Sequence, residues 1–272
     1  TETFAYGGAA PAAGLGTAAF AELSLPIPDR PFTLPRAVGI SSMAPSSLFS
    51  TTSTDYTEIE EQIWDAAGAT EAVTMLVGDG GDVENYGVIS MLQRKMTKLV
   101  VNINCVTPLN PDWDPAIQPV PTSSDIDGYV PALFGIPTEA DEGYSLIYNQ
   151  VFDSADFSAL ATAMLAAQEA GDGIVIPQTL VTVQNDFMGI DAGHEVQVLW
   201  KYTTLPTNWY DALPAELRAE IESGSSGKYK NFPHYETLTQ LELSAEQVML
   251  LANLEAWVMF ANEELIRSFL AQ

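Results

Sequence analysis

The stretch from residue 72 to residue 105 limits the possible folds more than any other part of the chain. Apolar runs at 72–77 and 98–105 predict two strands, a glycine-rich turn lies at 78–82, and apolar spacing predicts a helix near 86–95. A strand, a tight turn, a helix and a second strand in this order favour parallel neighbours in a sheet covered by helices. We therefore predict the α/β fold class.

The glycine-rich turn also holds the residues most suited to chemistry. Asp79 places a carboxylate at the mouth of the first predicted strand, and Gly80 and Gly81 follow it directly. A plain turn is the alternative interpretation, because aspartate and glycine are common turn residues.

Upstream of this turn, the pattern predicts loops, one short strand and one helix. Residues 1–37 are rich in alanine, glycine and proline and predict an extended or loop-like segment. We expect a short strand at 37–40, a turn rich in hydroxyl groups at 41–47, and a helix over 53–67.

Downstream, residues 106–150 are rich in proline and acids and have little periodicity, so we expect a long insertion that is either a lid or a surface loop without a role. The remaining elements are expected to be a helix over 154–168, an antiparallel hairpin within 174–204, a helix over 211–223, and a last helix that starts at a capping box of Ser244 and Gln247 and runs to about Ala271.

Charge excludes one class of partner. The chain has 36 acidic and 10 basic residues and a net charge of −26, which repels nucleic acid and anionic membrane surfaces. The acid excess fits a soluble protein from a saline, acidic or extracellular setting, and we favour a secreted or extracytoplasmic location. Because no apolar run reaches about 18 residues, we expect no transmembrane segment.

Cysteine and histidine usage bounds the chemistry further. Cys105 is the single cysteine, so no internal disulfide forms, and its apolar surroundings predict a buried small residue rather than a nucleophile. His194 and His234 are the two histidines, and neither belongs to a pattern typical of a zinc site. We expect neither a metal nor a cofactor.

Residues 76–104, LVGDGGDVENYGVISMLQRKMTKLVVNIN, resemble the C-terminal active-site segment of patatin-like and cytosolic-phospholipase-A2-like lipid acyl hydrolases, closer to the phospholipase branch than to plant patatins. Residues 37–49, AVGISSMAPSSLF, resemble the segment of small residues, serines and Ala-Pro that precedes the aspartate motif in that family. The resemblance implies part of a three-layer sandwich with a mainly parallel sheet over residues 1–208, and a helical tail over 209–272 packed on it.

The resemblance also implies a mechanism, a Ser–Asp dyad that hydrolyses an acyl ester, typically in a lipid. On this basis Asp79 is the general base, while Gly80 and Gly81 let the backbone turn and keep the carboxylate accessible. Asn85 would hold the loop through hydrogen bonds. The remaining pocket candidates are Ser41 and Ser42.

The family's nucleophilic serine lies in a Gly-x-Ser-x-Gly turn, and these 272 residues contain none. The chain therefore supplies the aspartate half of the dyad, and the serine half is expected on a companion chain or on a longer form of this one. A scaffold or binding protein that has lost catalysis is the alternative.

The first residue raises two further hypotheses. The chain starts at Thr1, without an initiator methionine or a basic leader, from which we expect that an N-terminal part has been removed or left out. Alternatively, Thr1 is itself an N-terminal nucleophile whose α-amine is the base.

Overall fold

The protein forms two compact units, Thr1–Asp82 and Val83–Gln272, and this boundary lies inside the predicted domain 1–208. The structure is a computed structural model. It describes residues 33–41, 59–63, 73–77, 80–82, 84–137, 146–223, 227–236, 240 and 242–271.

The described residues of the first unit form one helix and one pair of strands. Helix α1 spans Leu34–Ser41, and strands β1 (Ile59–Ile63) and β2 (Val73–Val77) pair antiparallel, with Ile59 opposite Val77. A short 3₁₀ turn, Gly80–Asp82, follows β2.

Two predictions for this unit are wrong. The strand expected at 37–40 lies within α1, whose first turn is held by Thr33: its hydroxyl accepts from the amide of Arg36 at 3.4 Å, and its carbonyl accepts from the amide of Ala37 at 2.9 Å. The segment 53–67, which was expected to form a helix, contains strand β1. Pairing with β2 satisfies the backbone groups of β1 and overrides the local helix propensity.

The second unit contains a three-stranded sheet with helices around it. Its elements are α2 (Val88–Gln93), β3 (Lys98–Ile103), α3 (Tyr129–Ala132), a 3₁₀ turn (Leu146–Asn149), α4 (Ala155–Ala170), β4 (Ile174–Val181), β5 (Glu195–Tyr202), α5 (Thr207–Asp211), α6 (Ala215–Glu222), α7 (Ala245–Ala261) and α8 (Glu263–Ala271).

Strand order in this sheet is β3-β5-β4, with β3 parallel to β5 and β4 antiparallel to β5. The α/β class, the predicted hairpin and the predicted strand after α2 are confirmed. The expected parallel relation of β2 to β3 is wrong among the described strands: β2 pairs antiparallel with β1, and the parallel neighbour of β3 is β5.

Side chains alternate across β5 and form two hydrophobic clusters, as the period of a strand requires. Trp200 and Tyr202 lie in the cluster that also contains the buried face of α4. Leu199 and, from β4, Val175 lie in the cluster that contains the helices after residue 206. Helices therefore cover both faces of the sheet, which is the layering of an α/β fold.

Within 106–150, the described residues 106–137 do not form the surface loop or lid that their composition suggests. Several of its apolar side chains are buried in the first cluster: Leu109, Trp113, Ile126, Val130, Leu133 and Phe134. The Phe134 ring centroid lies 5.6 Å from that of Phe157 in α4 and 6.2 Å from that of Trp200 in β5. The segment thus contributes side chains to the hydrophobic core. Its apolar residues lack a regular period because turns, rather than long helices or strands, make up the segment.

Asp125 holds the turns of this segment together. Its carboxylate accepts hydrogen bonds from the side chain of Asn110 (2.8 Å), from the amide and hydroxyl of Thr122 (2.8 and 2.7 Å) and from the side chain of Gln118 (3.1 Å). Burial alone would raise the pKa of Asp125, but these four donors outweigh it and hold the pKa below its ordinary value.

The predicted start of the last helix is confirmed, and its predicted length is wrong. Ser244 accepts from the amide of Gln247, and the Gln247 side chain accepts from the amide of Ser244, which completes the capping box. The helix ends at Ala261 because the next residue, Asn262, has non-helical backbone angles, and its side chain donates to the carbonyls of Asp172 and Val258. Helix α8 begins immediately afterwards.

Replacing Gly173, which joins α4 to β4, tests the packing of α7 on the sheet. Gly173 has φ +86°, and an added Cβ would come within 2.9 Å of both methyl groups of Val258. Gly193 has φ +85° and open space around it. Gly193→Ala should cost about 1–2 kcal/mol of backbone strain, and Gly173→Ala should cost about 1–3 kcal/mol more through overpacking. Urea unfolding measures both, and equal losses would contradict the contact.

Asp125→Asn should destabilise the protein by about 2 kcal/mol at neutral pH, because the amide cannot accept from all four donors. Since the folded pKa is depressed, Asp125 stabilises the fold above its unfolded pKa and loses this effect as pH falls through the folded value. Urea unfolding at several values between about pH 5 and pH 2 should show a smaller pH dependence for the variant. Asp112→Asn, at an exposed position, is the matched control.

Candidate functional site

Most of the residues proposed from the sequence lie at or beyond the limits of the described structure. Asp79 and Ser42 lie outside the described residues, as does the side chain of Ser41, the last residue of α1. Gly80 and Gly81 begin the 3₁₀ turn after β2. Gly80 is exposed, and a Cβ there would meet no described atom within 4 Å.

Asn85 is exposed in the bend before α2, and Glu84 makes the hydrogen bonds that start this helix. The Glu84 carboxylate accepts from the amides of Tyr86 at 2.5 Å and Ile89 at 3.4 Å. Burial raises the pKa of Glu84, and the amides partly oppose it. Gly87 precedes the helix with φ +76°, a left-handed conformation that glycine adopts without strain.

Tyr86 connects this bend to the carboxyl edge of the sheet. Its hydroxyl donates to the carboxylate of Asp127, which also accepts from the amide of Tyr129 at 3.1 Å. Burial raises the pKa of Asp127, and the hydrogen bond from Tyr86 opposes that rise. Burial, followed by the nearby Asp127 charge, raises the pKa of Tyr86 well above its ordinary value.

Tyr202 occupies the centre of this edge. It is the last residue of β5 and lies opposite Ile103, the last residue of β3. Its hydroxyl donates to the carbonyl of Thr107 at 2.7 Å and accepts from the amide of Asp127 at 3.0 Å. The chain that follows β3 is therefore hydrogen-bonded to the last residue of β5.

Cys105 lies against the same hydroxyl. Its sulfur is 3.3 Å from the Tyr202 hydroxyl oxygen and 3.2 Å from the carbonyl oxygen of Thr107. Burial, followed by the charge of Asp127, raises the pKa of Cys105 to about 12. The thiol is protonated at neutral pH, which agrees with the expectation that Cys105 is not a nucleophile.

His234 approaches this edge from the loop before α7. Its Nδ1 lies 2.9 Å from the carbonyl oxygen of Cys105, and because a carbonyl only accepts, Nδ1 carries the proton. Burial lowers the pKa of His234, although the hydrogen bond to Cys105 opposes it. The ring is therefore neutral at neutral pH, with the lone pair on Nε2. We call Tyr86, Cys105, Asp127, Tyr202 and His234 the edge cluster.

On the opposite face of the sheet, Lys201 of β5 forms an ion pair with Glu255 of α7. The Lys201 side chain is 7% exposed, and Glu255 supplies the opposite charge that a buried ammonium group needs. The Thr203 hydroxyl oxygen lies 3.3 Å from a carboxylate oxygen of Glu255, and it also contacts the side-chain oxygen of Asn104. This ion pair anchors α7 to the sheet.

The described side chains of the edge cluster keep their protons in hydrogen bonds. They form neither an activated nucleophile nor a metal site. Every hydroxyl and thiol in the cluster is hydrogen-bonded, and its carboxylate has a tyrosine donor. Among the described residues, no group of three or more histidines, cysteines and acids is arranged to hold a metal ion. None of the described helices combines the length and apolar character needed to span a bilayer.

Comparisons with protein-family models, curated proteins and solved structures find no match to the chain. The assignment of function therefore depends on the residues themselves. Sequence reasoning missed the edge cluster, apart from Cys105 and His234, which it interpreted separately. Asp127 is 41 residues from Tyr86 and 75 from Tyr202, so no local motif joins the three.

Tyr86→Phe tests whether the edge cluster depends on the tyrosine–carboxylate hydrogen bond. Loss of this half-buried donor to a charged group should cost roughly 1.5–3 kcal/mol in urea unfolding, and the pKa of Asp127, followed by carboxyl ¹³C NMR, should rise further. The matched control is Tyr210→Phe, which removes an exposed bond of the same type to Glu222 and should have a much smaller effect. Equal losses, or an unchanged pKa of Asp127, would contradict this account.

Proposed function

We propose that the chain is part of an acyl-ester hydrolase of the Ser–Asp type, with Asp79 as the general base. The proposal includes a patatin-like three-layer sandwich with a mainly parallel sheet. Two features support it: the Asp79-Gly80-Gly81 motif follows strand β2, and helices cover both faces of a sheet that contains the parallel pair β3 and β5.

The observation that carries the proposal is that Tyr86, the residue after Asn85, is anchored at the carboxyl edge of this pair. Tyr86, next to Asn85, donates to Asp127, whose amide donates to Tyr202 at the end of β5. In open α/β sheets, ligands bind outside the carboxyl ends of the strands. Tyr86, the residue that follows Asn85, is thus attached to the edge at which such folds bind substrates.

The proposed reaction has two steps. Serine attacks the acyl carbonyl, Asp79 accepts the serine proton, and the proton passes to the leaving alcohol as the C–O bond breaks. Water then attacks the acyl-serine, again with Asp79 as base, and releases the acid and the free serine. Since these 272 residues contain no Gly-x-Ser-x-Gly, the serine lies on a companion polypeptide or on a longer form of this chain.

The proposed substrate is a phospholipid or lysophospholipid. The net charge of −26 disfavours docking on an anionic lipid surface, so the substrate is taken as a monomer, from a micelle or from a zwitterionic surface. The absence of a serine turn from the sequence favours a second candidate, a scaffold or binding subunit on the same fold.

Asp79→Asn should abolish esterase activity of the complete protein, a loss of about 10²–10⁴-fold if general-base catalysis is removed, while urea unfolding stays unchanged. Asp82→Asn, in the same turn, is the matched control and should retain activity. A fluorophosphonate probe should label a serine on a companion polypeptide or on a longer form of this chain. Retained activity in Asp79→Asn would refute the dyad, and complete absence of labelling would favour the scaffold.

A further inference from the structure

A cavity of about 320 Å³ lies between the sheet and helix α8. Small-molecule sites in proteins occupy roughly 300–1,000 Å³, so this cavity is at the small end of that range. A water molecule takes about 30 Å³ in the liquid, which leaves room here for roughly ten non-hydrogen atoms. Its lining comes from two strands and one helix and includes Pro177, Thr179, Gln197, Leu265, Ser268 and Phe269.

The sheet side of this cavity carries a row of polar side chains that crosses three strands. Lys98, the first residue of β3, is opposite Gln197 of β5, and Gln197 is opposite Thr179 of β4. Residues directly opposite each other in a sheet point to the same face. An ammonium group, an amide and a hydroxyl therefore stand side by side under α8, and each of them can donate hydrogen bonds.

Lys98 places a positive charge beside the cavity. Its Nζ donates to the carbonyl of Phe269 at 2.9 Å and lies 5.4 Å from the centroid of the Phe269 ring. An ammonium group has three donors, and the carbonyl takes one of them. No carboxylate of the described residues forms an ion pair with Lys98, because the ion pairs there involve Lys95, Lys201, Arg218, Lys228 and Arg267. The Lys98 ammonium group is therefore available to an anion.

The other walls of the cavity define the rest of the ligand. Pro177, Leu265 and Phe269 present apolar surface, and Ser268 adds a hydroxyl from α8. One ammonium group balances one negative charge, and the net charge of −26 disfavours a ligand with two, such as a phosphate monoester. The lining thus matches a singly charged anion with an apolar body.

We propose that this cavity binds a carboxylate with a short apolar chain, about the size of octanoate. The carboxylate lies at Lys98, and the chain lies against Leu265 and Phe269. The site goes beyond the proposed function and does not depend on it. Lys98 and Gln197 are at the amino ends of the parallel pair, roughly 16 Å along the strands from the edge cluster at the carboxyl ends.

The test titrates sodium octanoate into the full chain and follows binding by isothermal titration calorimetry and by ¹H–¹⁵N NMR. We expect saturable binding with a dissociation constant of about 1 mM or tighter. The amide signals of Thr179, Gln197 and Ser268 should shift. Octanol lacks the charge and acetate lacks the chain, so each should bind roughly tenfold more weakly or worse.

Two pairs of variants locate the ligand. Lys98→Met keeps the apolar stem and removes the ammonium group, so it should weaken octanoate binding by roughly tenfold or more. Lys95→Met, at an exposed lysine that pairs with Asp191, is the matched control and should bind as the original chain does. Ser268→Trp should block the cavity, whereas Leu270→Trp, at an exposed position of the same helix, should leave binding unchanged.

Lys98 also holds the last turn of α8 through the Phe269 carbonyl, so circular dichroism and urea unfolding accompany each titration. The Ser268→Trp variant keeps this hydrogen bond and tests the cavity alone. The inference is overturned by any of three results: no saturable binding of octanoate, octanol or inorganic phosphate binding as tightly as octanoate, or unchanged affinity in both Lys98→Met and Ser268→Trp. Esterase activity of Asp79→Asn is measured separately, so none of these results bears on the dyad.

Discussion

The parallel pairing of β3 with β5 is the constraint on which the second unit depends. Its register sets Ile103 opposite Tyr202, so the two strands end side by side. Whatever follows β3 must therefore pass the Tyr202 hydroxyl, and the carbonyl of Thr107 and the amide of Asp127 both bond to it. A parallel pair needs a long connection between its strands, and here that connection supplies both core and site residues.

Burial and hydrogen bonding reinforce each other in that connection. Phe134 and Trp113 are buried in the first hydrophobic cluster. A loop whose polar groups lacked hydrogen bonds could be buried there only at a large free-energy cost. The Asp125 carboxylate accepts from four donors of the same segment. These hydrogen bonds lower the free-energy cost of burying the neighbouring residues. The edge cluster therefore rests on packed, hydrogen-bonded backbone, which is the rigidity that a binding or catalytic edge requires.

Elements with a strong local signal were predictable. Helix α4, the β4–β5 hairpin and the capping box of Ser244 and Gln247 follow from apolar period, alternation and side-chain capping, each of which acts within a few residues. Strand β1 was predicted as a helix because Ile59 and Ile63 have helical spacing, and only pairing with β2 decides otherwise. The break at Asn262 depends on Asp172, 90 residues away.

The sequence by itself determined the α/β class, the order of strand and helix around the Asp79 turn, and the net charge of −26, because these follow from composition and short-range pattern. It also indicated Asp79, Gly80, Gly81 and Asn85 as candidates through a motif. Only the tertiary structure decided the burial of residues 106–137, the meeting of Tyr86, Asp127 and Tyr202, and the cavity between the sheet and α8. Each of these depends on contacts between distant residues, and such contacts leave no local pattern in a single sequence.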